Sequence, residues 1–212
     1  MAGTRVASRL VVTGVIGALV AFLSLAGLSA LATEPFRSAD ETAHTAYAIE
    51  VGHGHLPTRQ TEVSRDIPLQ HGGKIYVASH PPLYYLLIAP PLTWGLERGT
   101  PLTGFYLARL ETILMSLGTI ALTAYLATVL FRGGRPDLAV AAAGLLATTG
   151  VFAFTSSFIY NDALSTFFST ALIAGTVLVL HRGLRPGPGL LVVLSGAAAV
   201  ATRSSNAPLV VV

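Results

Sequence analysis

The residues able to do chemistry are crowded into one stretch. Eight of the ten acids and five of the six histidines of this 212-residue chain fall between positions 34 and 111. The densest piece, residues 38–47, reads Ser38-Ala-Asp-Glu-Thr-Ala-His-Thr-Ala-Tyr. Ser38 followed three residues on by Glu41 is a capping box, which predicts a helix from Ala39 to about Gly52. Asp40 and His44 then share a face one turn apart, with Tyr47 at the next turn. Asp40 is a candidate catalytic carboxylate. For Glu41 two roles fit, a second catalytic acid or a charge complementing the positive helix start.

Further on stand His53-Gly-His55, His71-Gly-Gly-Lys74 and Ser79-His80-Pro81-Pro82. Five histidines with nearby acids have the chemistry of a zinc or other divalent site. Their spacing is not His-Glu-x-x-His, and no two lie four apart on one predicted helix. No metal ligand is therefore assigned, and a divalent cation is left open. Gly72-Gly73-Lys74 can offer amides and an ammonium to a phosphate. His80 before two prolines is held extended, and Pro82 suits the start of a helix through Leu83, Tyr84 and Tyr85. Beyond this stretch, Asn161 reads as a helix N-cap with Asp162 at its positive end, and Asp162 is also a candidate acid. Arg109 and Arg203 each fit two roles, snorkelling or holding a lipid phosphate.

These groups are carried by an apolar chain. It is 52% hydrophobic and only 11% charged, with a mean hydropathy of +0.66. So few charges cannot cover a soluble globule, so the composition implies an integral membrane protein. A net charge of +3 without a basic face argues against a nucleic-acid partner. The absence of cysteine excludes thiolate metal sites and cysteine nucleophiles.

Charge-free runs place the spans, since a helix needs about 20 apolar residues to cross. Five are expected, at about 10–32, 104–131, 138–158, 162–180 and 188–212, joined by a long first outer loop, 33–103. The apolar piece 82–97 carries Pro90-Pro91 and is too short to span comfortably, so it is expected to lie at the interface. The first run is longer than a signal-peptide core, and it is read as an uncleaved span. With 82–97 not crossing, Arg5 and Arg9, Arg132 and Arg135, and Arg182 and Arg185 all fall on one side. The positive-inside rule then predicts a multi-pass cell-membrane protein with a cytoplasmic N-terminus and the acids and histidines outside.

An Asp-Glu pair after the first span, then Tyr47, Gly54-His55-Leu56-Pro57 and His80-Pro-Pro-Leu-Tyr-Tyr-Leu-Leu, resembles the GT-C membrane glycosyltransferases. The nearest likeness is to their protein mannosyltransferase and aminoarabinose transferase branch, with its RgtA/B/C/D-like domain. Ala108-Arg109-Leu110, Asn161-Asp162-Ala163-Leu164 and Ala201-Thr202-Arg203 extend the likeness in order along the chain. The resemblance implies an all-α N-terminal transmembrane module of an enzyme that moves a sugar from a polyprenyl-phosphate donor to a glycan, lipid or protein acceptor in the cell envelope. It places Asp40 on the catalytic acid, Asp162 on a second acidic position, and His80 where relatives carry a Lys near the donor phosphate. Glu41 joins the catalytic group, and His44, Lys74, His80, Tyr84, Arg109 and Arg203 are the substrate-binding candidates. A non-catalytic membrane subunit and a transporter are the alternatives, although no inverted repeat is visible.

Overall fold

The computed structural model of the chain describes residues 2–63, 73–131 and 134–211. His71 and Arg132 lie outside the described residues. Helix α1 (Ala2–Ala32) is followed by α2 (Glu41–Gly52), a 3-10 turn at Tyr76–Ser79, α3 (Leu83–Glu97) and α4 (Pro101–Leu130). Then come α5 (Pro136–Thr148), α6 (Gly150–Ser156), α7 (Asp162–Arg182), α8 (Pro186–Thr202), a 3-10 turn at Ser204–Asn206 and α9 (Ala207–Val211). Extended pairing among the described residues is limited to one bridge between Glu62 and Lys74.

Proline at the first helical position starts α4, α5 and α8, where its missing N–H is not needed. Helix α7 stops at Gly183, whose φ of 77° suits glycine. Among the described residues, three helices are long and apolar enough to cross a bilayer: Arg9–Ala32 of α1, α4 and α7. A fourth is counted if α5 and α6 form one span. The described residues thus form an all-helical membrane protein with three or four candidate spans.

Two expected spans differ from this. Residues 138–158 do not form one rod: α5 and α6 meet at a 62° bend. Thr149 is extended there, and the hydroxyls of Thr148 and Thr149 bond back to the carbonyls of Gly144 and Leu145. Residues 188–212 are also broken. Helix α8 ends at Thr202 after 17 residues, and Arg203 turns extended before the short α9.

The long helices alternate in direction. Arg109 near the start of α4 touches the end of α1, so these two run antiparallel. Helix α5 returns alongside α1, with Phe22 and Phe152 rings 5.3 Å apart. Helix α7 packs on α4 and α8 packs on α7, where Gly175 lets Val192 approach closely. One core, containing Ala18, Phe22, Ala26, Ile113 and Ala147, fills the α1–α4–α5 contact. The second lies under α2 and α3, where Tyr47, Tyr84, Tyr85, Ile88 and Phe105 meet Ile159 and Leu164. Helix α3 seats tightly on α4 through Gly95 and Gly104; a Cβ on Gly104 would lie 2.4 Å from the Pro91 carbonyl. Helices α2 and α3 therefore cap one end of the bundle.

Candidate active site

Helix α2 begins at Glu41, not Ala39, and the expected capping box does not form. Each of its members has found a partner far away in sequence. The Ser38 hydroxyl lies 2.5 Å from the Tyr160 hydroxyl. Glu41 is fully buried and pairs with Arg109. Asp40 occupies the N-cap position, yet its side chain makes no bond to the helix amides. Tyr76 instead donates to Asp40 Oδ1 at 2.5 Å, and the backbone N–H of Asp40 reaches the Tyr160 oxygen at 3.4 Å.

The two adjacent acids thus meet opposite surroundings. Asp40 is exposed. Around Glu41, all five N–H donors of Arg109 are engaged. Two go to the Glu41 carboxylate at 2.8 and 2.7 Å. The others go to the carbonyls of Ala30, Thr33 and Glu34 at and beyond the end of α1. Glu41 Oε1 also accepts the Ile159 N–H at 3.1 Å. The guanidinium is sandwiched between the rings of Phe105 and Phe158, at 4.6 and 4.9 Å. A cation with every donor spent and 1% of its surface exposed has nothing left for a phosphate. Arg109 is a framework residue that closes the negative end of α1 and ties α2, α4 and the 157–161 turn together. Phe36, with a φ of 64° that a non-glycine residue adopts at a cost, packs its ring 4.7 Å from Phe105 in the same connector.

His44 is buried one turn after Asp40. Its Nδ1 lies 2.9 Å from the Tyr85 hydroxyl, and its ring is stacked on His80 at 6.1 Å. Burial, then the neighbouring His80, push its pKa down to about 3; Asp40 pulls weakly the other way and Arg203 adds to the depression. His80 is lowered too, by burial first and then Arg203, with Asp162 opposing and Arg59 assisting. Its carbonyl accepts the Tyr47 hydroxyl at 2.9 Å. The His44–His80 stack, the tie from Asp40 to Tyr160 and the Asp162–Arg203 pair bring Asp40, His44, His80, Asp162 and Arg203 to one end of the bundle.

Asp162 opens α7 and forms an ion pair with Arg203 Nη1 at the end of α8. Nε and Nη2 of Arg203 carry no hydrogen bond to the described residues. Asn161 is not an N-cap acceptor: its side-chain amide donates to the Thr202 carbonyl at 3.2 Å and locks α7 to α8. Asn206 reinforces the link through Ser165 Oγ at 2.8 Å. Lys74 is exposed and bonded to Gln60, outside the Asp40 group. Tyr84 is fully buried, with its hydroxyl 2.8 Å from Thr112 Oγ1, a core position without access to a ligand. Among the described residues no three His, Cys, Asp or Glu side chains come together as a metal site.

Tyr76 and Tyr160 join the site without any signal in the sequence, since each is brought in by a turn. An apolar groove of about 470 Å³ lies elsewhere, between α1 and α4, lined by Gly27, Ala30, Leu31, Tyr106, Leu110 and Ile113. Its one charged wall is the saturated Arg109, so it offers a ligand no free charge. A second cavity, of only about 10 Å³, lies among Thr45 and Ile49 of α2, Leu92 and Leu96 of α3, and Phe105 of α4. No protein-family model, characterised protein or solved structure matches the chain.

Proposed function

We propose that the chain is a membrane glycosyltransferase module. It transfers a sugar from a polyprenyl-phosphate donor to an acceptor hydroxyl on the outer membrane face, with Asp40 as general base and the N-terminus in the cytoplasm. The observation that carries this reading is the contrast between Asp40 and Glu41. One carboxylate is consumed inside the protein; the other is exposed, oriented by a phenol, and shares its end of the bundle with Arg203.

In the reaction the acceptor oxygen attacks the anomeric carbon while Asp40 takes the hydroxyl proton. The bond from that carbon to the phosphate oxygen breaks, and its electron pair leaves with the polyprenyl phosphate. The departing phosphate needs positive charge, not a proton. Arg203, with donors to spare, suits it best, and Asp162 holds Arg203 in place. His80, kept neutral by burial and by Arg203, serves as a hydrogen-bonding group and not as a charge. Since α3 is closed against α4, the prenyl tail follows the exposed Leu86 and Leu87 flank of α3. In this topology α8 is a further, shorter span, and α3 lies at the interface.

The test supplies labelled polyprenyl-phosphate sugars to membranes carrying the protein or its Asp40→Asn variant. Donor loss that falls about 100-fold or more in the variant is expected, and the donor consumed identifies the sugar. Undiminished transfer by a correctly inserted Asp40→Asn protein would remove Asp40 from the reaction. No turnover with any donor would point to a non-catalytic membrane subunit, and substrate uptake into proteoliposomes to a transporter.

A further inference from the structure

We propose that Tyr76 is the positioning residue of the base: it fixes Asp40 Oδ1 and leaves Oδ2 as the atom that receives the acceptor's proton. This rests on the transferase reading and specifies how its site is built.

An aspartate at an N-cap ordinarily turns its carboxylate onto the helix amides. Asp40 does not. Its carboxylate is turned outward and held by a phenol 36 residues away, while its backbone N–H is tied to Tyr160, itself bonded to Ser38. Backbone and side chain are thus fixed by different groups, and rotation of the carboxylate is restrained. Tyr76 is the first residue of a 3-10 turn, and its chain neighbours Ile75 and Val77 are buried, so the phenol is carried on an anchored support. The ring itself is half exposed, unlike Tyr84 and Tyr85, which are fully buried. A half-exposed hydrogen bond competes with water and adds little to stability. What it adds is orientation, and misplacement of a reacting group is costly in rate. With Oδ1 already accepting from the phenol, Oδ2 is the oxygen with both lone pairs available to a hydroxyl.

The experiment measures donor turnover for wild type, Tyr76→Phe, Asp40→Asn and the double variant, all as full-length protein in membranes. Alongside it, 19F NMR follows the fluorotyrosine signal of residue 76 in detergent, assigned by its loss in Tyr76→Phe. The expected result for Tyr76→Phe is a kcat reduced about 10-fold to 100-fold, with KM for the donor and the thermal midpoint nearly unchanged. In the Asp40→Asn background the same change should have no further effect, and Asp40→Asn should shift the residue 76 resonance. A Tyr76→Phe enzyme with full kcat, beside an inactive Asp40→Asn, overturns the positioning role and leaves the transferase reading standing. An unmoved resonance in Asp40→Asn likewise overturns it. A fully active Asp40→Asn protein, or a wild type that consumes no donor, removes the reading and this role together.

Discussion

Asp40 and Glu41 are neighbours of the same charge, and only one of them has water beside it. The Glu41–Arg109 pair is worth having only as a pair. Each charge pays for desolvation through the other and through the carbonyls of Ala30, Thr33 and Glu34. Removing either partner strands a buried charge, so Glu41→Ala or Arg109→Ala should each cost about 3–5 kcal/mol of stability. The thermal midpoint in detergent reads this, and the double variant should lose much less than the sum. Arg109→Lys should fail to restore the wild-type midpoint, because three ammonium donors cannot serve five acceptors. His44 gives a pH dependence. Its folded pKa, near 3, lies below the unfolded value of about 6.5, so the unfolded chain binds a proton first. Its contribution is complete above about pH 6.5 and is lost as the pH falls toward 3. The groups acting on it are His80, Asp40 and Arg203. Unfolding of wild type and His44→Gln at pH 7.5 and about 5 should show the slope in wild type and a shallower one in the variant.

The position of α3 depends on two glycines. Gly95 and Gly104 bring the backbones of α3 and α4 into direct contact. Gly104→Val should unseat α3, costing about 1–3 kcal/mol by overpacking, and should disturb the Tyr85–His44 contact that α3 carries. Gly144→Ala in α5 is the control. A Cβ there meets nothing within 4 Å, and the helix should gain about 0.5–1 kcal/mol. Thermal midpoints of the two variants should therefore move in opposite directions. The same reasoning explains the pairing of α7 with α8, where Gly175 admits Val192 and the amides of Asn161 and Asn206 tie the start of α7 to the end of α8 and the turn after it.

The alternating helices gather the polar cluster at one end of the bundle and the links after α4 and α7, with Arg135, Arg182 and Arg185, at the other. The chain has no cysteine, so single-cysteine variants report topology without background. Cysteines at Thr58 and Gly99 should label with an impermeant thiol reagent from outside intact cells. Cysteines at Gly183 and Asp137 should label only after permeabilisation. Labelling of Thr58 and Gly99 from opposite sides would mean that α3 crosses and would remove the common side assigned to the basic links.

The apolar runs, and with them an all-helical membrane protein, were legible in the sequence because a bilayer demands long stretches without charge. The helix after the first apolar run was legible too. The roles of individual polar groups were not. Ser38 and Glu41 satisfy a local capping pattern, and Asn161 and Asp162 satisfy another. In each case a side chain has taken a partner distant in sequence in place of its local amide. Arg109 reads equally well as a phosphate ligand until its five acceptors are seen. Tyr76 has no pattern around it at all. A capping motif reports which hydrogen bonds a segment can make by itself. Burial decides which it does make, because a polar group removed from water must be satisfied by whatever the packing brings to it.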